Sequence, residues 1–259
     1  MKPKPRTRTS RKSTSSATKS VADGHPQEPQ RREIDHVLQD FPGMWSPYLA
    51  TQATSIGVVD RHIENLEIQL FREYMAEDRT PMWSILVVAL SQMWVFSLYE
   101  LLRTWRQMAT ELTRYATDLE NLQGSQRDER IARERARIKK VQSHVRMPDR
   151  SYDMCFDAIE RDATFGQRVR NALAASDEVF REIESLRITL AKHEVPKTGY
   201  RAEAPGYARL DHMSRSVCWM IALKDGSSKI ISRSSIAEGM RSVGEALGAT
   251  TPPNTKTKH

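Results

Sequence analysis

Residues 81–99 carry no charged side chain, and the same three- and four-residue spacing of apolar residues runs on through Leu101 and Trp105 toward Leu122. A segment of that kind must find nonpolar surroundings along most of its length. Its uncharged part approaches the roughly 20 residues that cross a bilayer, so a membrane helix is one solution. Ser84, Ser91, Gln92 and Ser97 interrupt it, however, and Glu100, Arg103 and Arg106 carry the helical pattern onward in amphipathic form. Both features fit a helix buried in the middle of a bundle, apolar almost all round because neighbours surround it. Thr80 and Pro81 read as its start, a capping hydroxyl followed by a proline in the first turn. The expected fold class is mainly α, a helical bundle with a long central helix, and no membrane partner is expected.

The rest of the chain supplies neighbours. Ile56, Val59, Ile63, Leu66, Leu70 and Phe71 form one helical stripe, with Glu, Gln and Arg on the other faces. Gln123-Gly124-Ser125 breaks the central pattern, and a charged helix is expected over 126–145, where Asp128, Glu129, Arg130, Arg133, Glu134, Arg135 and Arg137 surround Ile131, Ile138 and Val141. Interleaved charge of this kind makes a solvent-facing helix laced by ion pairs, and its acids cancel much of the field a nucleic-acid surface needs. Helical spacing resumes over 152–190 as two helices, with the break near 162–166 or 174–177. Strand-like runs at 217–223 and 229–232 flank Lys224-Asp225-Gly226-Ser227-Ser228, a hairpin signal because Asp-Gly suits tight turns. Ser235-Ile236-Ala237-Glu238 has the form of a capping box opening a short helix that ends near Gly248. The expected division is a disordered basic tail (1–30), the bundle (31–198), a loop with a small β-hairpin and short helix (199–248), and a loose tail (249–259).

Charge is concentrated at the start. The chain carries a formal +7, and Lys2, Lys4, Arg6, Arg8, Arg11, Lys12 and Lys19 all fall within residues 1–22, which contain no acid. Beyond them basic and acidic residues balance. A tail rich in Pro, Ser and Thr cannot bury enough surface to order itself, and it either is simply solvated or holds RNA, DNA or an acidic membrane surface through salt-sensitive contacts. It has the Arg- and Ser-rich look of a transit peptide but lacks an apolar face, so it is expected to stay on the protein. Cys155 and Cys218 show no metal-ligand spacing and no secreted framework, which fits a reducing cytoplasm. His36, His62 and His212 form no metal-ligand pattern, and no Walker loop, dinucleotide fingerprint, zinc-protease helix or serine-nucleophile elbow occurs. Neither metal nor cofactor is expected.

The segment with catalytic potential is Glu182-Ile183-Glu184-Ser185-Leu186-Arg187-Ile188-Thr189-Leu190-Ala191-Lys192-His193-Glu194-Val195-Pro196. An unbroken helix would leave Arg187 and His193 about 120° apart around its axis. Pro196 disfavours helical angles at Val195, so the helix is expected to end near 192–194, letting His193 turn back toward a phosphate held by Arg187. Arg31 with His36 and Arg137 with His144 have comparable spacing, but the first lies beside the tail and the second in the charged helix. The segment resembles the Arg-x(4 to 6)-His signature of the HEPN superfamily, helical domains that are often metal-independent ribonucleases acting as dimers. The resemblance covers about 56–196. It implies RNA cleavage by internal transesterification at Arg187 and His193, two motifs meeting across a homodimer, and a setting in bacterial defence or toxin-type growth control with an antitoxin or regulatory partner. HEPN domains often place an acid near the signature arginine, and Glu100 on the central helix is the candidate, with Arg103 one turn on as its local partner. Lys192, Lys197 and Arg201 are the candidate substrate-binding cations. The plain alternative pairs Arg187 with Glu184, leaves His193 at the negative end of the helix dipole, and makes the protein a non-catalytic helical interaction scaffold.

Overall fold

The computed structural model describes residues 31–143, 151–191, 208–222 and 227–250. Eight helices and one sheet occupy them: α1 (Ile34–Gln39), α2 (Pro47–Glu77), α3 (Ser84–Asn121), α4 (Gly124–Gln142), α5 (Ser151–Arg161), α6 (Ala163–Ala175), α7 (Asp177–Ala191), β1 (Arg209–Asp211), β2 (Ser216–Ala222), β3 (Ser228–Ser232) and α8 (Arg233–Thr250). The class is mainly helical with a small C-terminal sheet. The 1–30 tail lies outside the described residues, and Ala249 and Thr250, expected in the other tail, close α8.

α3 is the central element, with α2, α5, α6 and α7 all packed on it. Its two fully buried indoles are each satisfied by a carbonyl: Trp94 Nε1 donates to Ile56 O at 3.2 Å and Trp105 Nε1 to Pro42 O at 2.9 Å. A buried donor left unpaired would cost more than either bond contributes, so these contacts fix how α2 and the α1–α2 connection lie on α3. α3 is long and apolar enough to cross a membrane, and 44 % of its most apolar 18-residue stretch is buried within the protein. It starts three residues later than Thr80-Pro81 implies. Ser84 N donates to Pro81 O at 3.0 Å, Trp83 is the N-cap, and the Trp83 indole donates to Glu73 at 2.6 Å. The preceding turn is thus tied to α2 by a tryptophan, and Thr80 is not the cap.

α2 is longer than its expected stripe and rotated from it. The buried positions are Leu49, Ala53, Ile56, Gly57, Asp60, Ile63, Glu67 and Leu70, while Val59 is exposed. The stretch 151–191 breaks at both candidate places, so it forms three helices where two are expected. Asp162 caps α6 by accepting from the Thr164 backbone N–H at 2.9 Å and the Thr164 hydroxyl at 2.7 Å. At the second break Arg106 of α3 donates to Leu173 O and Ser176 Oγ, both at 3.3 Å, and to Asp177 Oδ1 at 2.8 Å. One guanidinium therefore serves the carbonyl end of α6 and the first-turn acid of α7, which fixes the angle at which α7 crosses α3.

Gly166 of α6 is where that helix meets α3 most closely, since a Cβ there would lie 2.5 Å from Ala116 Cβ. Gly166→Ala is expected to destabilise the protein by about 1–3 kcal/mol, the usual effect of overpacking, despite the better helix propensity of alanine. Urea unfolding measures it, and an unchanged midpoint would mean the α3–α6 contact yields freely.

The sheet runs β1-β2-β3, antiparallel throughout, with Trp219 opposite Ile231. The hairpin is the expected one, but β1 falls in a segment that reads as loop because its apolar content is a single Leu210. α8 begins two residues before the expected box. Ser232 Oγ accepts from the Ser235 N–H at 3.0 Å, the N-cap geometry, while Glu238 bonds Arg241 at 3.1 Å. The serine run offers several caps, and the sheet, by ending at Ser232, selects the earliest. α8 packs on α1, α6, α7 and the sheet, so the C-terminal segment shares the bundle's core.

Candidate functional site

Arg187 lies on α7 beside the buried Val179, Ile183 and Leu186, on the flank that faces α3. Its guanidinium carbon sits 5.2 Å from the centroid of the Tyr99 ring, and Nη2 is 3.9 Å from Glu100 Oε1. Glu100 accepts more tightly from Arg103, at 3.0 Å from Nε and 2.8 Å from Nη2. The local partner and the cross-helix partner therefore share one carboxylate. The ion pair of Arg187 crosses to α3, in place of the Glu184 alternative. Glu100 is 47 % exposed, so the penalty for burying a carboxylate does not arise here.

Behind this triad stands a column that sequence reasoning missed. Tyr99 stacks on Phe180 with ring centroids 5.7 Å apart and planes 16° from parallel, and Arg106 lies over the other ring, 4.6 Å from the Phe180 centroid. The order from Arg106 to Arg187 is thus cation, ring, ring, cation. Each ring presents its negative face to a guanidinium, contacts worth about 0.5–2 kcal/mol each. The column holds Arg187 against α3 while leaving it 38 % exposed. Chemically the site offers two partly exposed guanidinium groups around one carboxylate, planar donor forks of the kind that match carboxylate and phosphate geometry.

Lys192, His193, Lys197 and Arg201 lie outside the described residues, as does His144. α7 is described to Ala191. Among the described residues no group of three or more His, Cys, Asp and Glu could hold a metal ion, and Cys155 and Cys218 are buried thiols that do not form a disulfide. The charged helix α4 is laced by ion pairs, as expected, but it is also docked: Arg130 bonds Asp118 at 3.0 Å and lies over Tyr115, and Glu134 is buried. Burial by itself would raise the Glu134 carboxyl, yet hydrogen bonds from Arg130 and Arg137 outweigh it and hold the group below the usual carboxylate range.

A second charged constellation is structural in geometry. Arg233, at the start of α8, is 3 % exposed and bonds Glu67 through Nε at 2.9 Å and Nη2 at 2.6 Å, with Nη1 on Asp60. Glu67 Oε1 also accepts from the Ser216 hydroxyl at 2.6 Å and the Val217 N–H at 2.8 Å, and Arg241 reaches Asp60 at 3.5 Å. Burial opposes the Arg233 charge, but the hydrogen bond to Glu67 and the charges of Glu67 and Asp60 overcome it, so its pKa is raised. A signal existed in the sequence: Asp60 and Glu67, seven apart, sit in register with Ala53, Ile56, Ile63 and Leu70, two acids on an apolar stripe that need buried cations.

A groove of about 540 Å³ opens between α2 and α3, with Ile56, Val59, Leu90, Met93 and Phe96 among its walls and Glu100 on its rim. The arginine site therefore adjoins an apolar surface. No family model, curated protein or solved structure matches this chain.

Proposed function

We propose that the protein acts on RNA, binding the phosphodiester backbone at Arg187 and Arg103 and cleaving it with His193 in a metal-independent transesterification. The observation that supports this reading is the placement of Arg187: a half-exposed guanidinium held on Tyr99, with two arginines to one carboxylate. A phosphate entering there meets an excess of positive charge and a planar donor fork. Arg187 stabilises charge as it develops on phosphorus-bound oxygens. His193, six residues on, moves a proton from the attacking 2′-hydroxyl or to the leaving 5′-oxygen. The products are a 2′,3′-cyclic phosphate and a 5′-hydroxyl. Lys192, Lys197 and Arg201 add backbone contacts, and a regulatory partner that covers the site fits an activity of this kind in the cytoplasm.

Incubating the purified full chain with end-labelled single-stranded RNA in excess EDTA tests the proposal. Cleavage to cyclic-phosphate ends is expected, together with RNA binding that weakens as salt rises. Binding that is indifferent both to salt and to Arg187→Ala would remove the phosphate contact from the reading. The non-catalytic alternative draws on a separate observation, the uncharged exposed face of α3.

A further inference from the structure

α3 presents more than its groove. Met82, in the turn before it, is 84 % exposed, Met93 is 63 % exposed, and Ile85 and Leu86 are each more than half exposed. With partly buried Leu90 and Phe96 and with Ser97, these residues follow the three- and four-residue spacing of one helix face, about 22 Å long at 1.5 Å per residue. Val59 and Ser55 of α2 widen it across the groove. No charged side chain falls in 81–99. Single exposed apolar residues are ordinary, but a contiguous face of this extent is the mark of an interface.

The charges at its two ends say what covers it. At one end stand Arg103 and Arg187 with one carboxylate, Glu100. At the other, around the α2–α3 turn, Glu73, Glu77 and Asp78 stand with Arg72 and Arg79, three carboxylates to two guanidinium groups. A face positive at one end and negative at the other is self-complementary when a copy lies on it antiparallel. An anionic lipid surface would instead meet the acids beside Met82, the most exposed apolar residue of the face. A stable pairwise interface uses about 800 Å² per partner, and the exposed side chains named above, with the groove walls, supply an area of that order.

We propose that a second copy of this chain docks here, α3 against α3, antiparallel, with the two-fold axis near Leu90. Such an interface is isologous, each end of one face meeting the opposite end of its copy. Arg103 of one subunit then faces Glu77 of its partner, charges that set register and orientation more than affinity. The two Glu100 side chains fall about 30 Å apart along the paired helices. The Arg187 sites thus lie at opposite ends of the interface, unlike the two motifs meeting across a homodimer that the HEPN resemblance implies. This inference stands independently of the RNA reading.

Sedimentation and light scattering of the full chain test it without reference to cleavage. At tens of micromolar protein a particle of twice the 29.7 kDa chain mass is expected. Met93→Glu and Leu86→Glu should each give a monomer with an unchanged circular dichroism spectrum, because both side chains are largely exposed. Arg103→Glu should weaken the dimer about tenfold, and adding Glu77→Arg should restore it. A monomeric wild type, or a dimer indifferent to both glutamates, overturns the proposal, and failure of the charge reversal to rescue overturns the antiparallel register. A wild type that is monomeric in solution yet binds phosphatidylglycerol vesicles, with binding lost in Met93→Glu, assigns the face to a lipid surface and overturns it too.

Discussion

Arg233→Ala is expected to destabilise the fold by about 3–5 kcal/mol, the usual cost of breaking a buried ion pair from one side. The size follows from what is left behind. Asp60 and Glu67 are 2 % and 3 % exposed, and without Arg233 two carboxylates remain in the core with Arg241, 3.5 Å from Asp60, too distant to replace the paired guanidinium contacts. Glu67 would keep the Ser216 hydroxyl and the Val217 N–H as donors, but neither carries a countercharge. Against a total stability of about 5–15 kcal/mol, the loss is large, and the melting temperature should fall by roughly 10 °C or more. Glu67→Gln should be milder, because the amide oxygen can still accept from Val217. Urea and thermal unfolding measure both, and an Arg233→Ala variant within about 1 kcal/mol of wild type would show that the pair contributes little net stability. The effect reaches far along the chain, since this network joins α2, β2 and α8.

His193→Ala is expected to lower RNA cleavage by roughly 10² to 10⁴ while leaving RNA binding close to wild type, because a positioned proton-transfer group acts on the rate and hardly on ground-state affinity. Arg187→Ala should lower both, with roughly 10² to 10³ in rate from lost charge stabilisation. Neither result should come from unfolding. Arg187 is half-exposed, and its partner Glu100 retains Arg103 at 2.8 Å, so its removal should cost no more than about 1 kcal/mol, the range of exposed ion pairs and of one cation–ring contact. Single-turnover cleavage together with filter binding separates the two effects. Equal cleavage by wild type and both variants would end the nuclease reading and leave the bundle as an interaction scaffold.

Much of the architecture was legible because its causes are local. The uncharged run of 81–99 marked the central helix but not its surroundings: Met82, Ile85, Leu86 and Met93 stay more than half exposed, and the all-round burial expected of the run falls instead on the later part of α3, around Leu101, Leu102 and Trp105. The hairpin was marked by Asp-Gly between β-branched runs, and the breaks in 151–191 by Asp162 and Ser176, whereas Gly166, also a candidate break, lies inside α6 as a close contact to α3. Misreadings arose where several local solutions were open. Thr80 and Ser235 are both plausible caps, but the Trp83 indole on Glu73 and the end of β3 moved each helix start elsewhere. β1 carries too little apolar pattern to be read as a strand and exists because β2 offers it an edge.

The sequence by itself determined the helical class and the central element, because periodicity, caps and turn residues act over a few positions; it offered Arg103 as the local partner of Glu100, and Arg187 only through the resemblance. Tertiary structure decided the rest: that Glu100 is shared by Arg103 and Arg187, that Tyr99 and Phe180 stack between two guanidinium groups, and that Arg233 closes on Asp60 and Glu67 from more than 160 residues away. Those contacts depend on the angles at which α2 and α7 cross α3 and on how α8 settles against α1, α6, α7 and the sheet. Such angles emerge only when all the helices compete for the same buried surface.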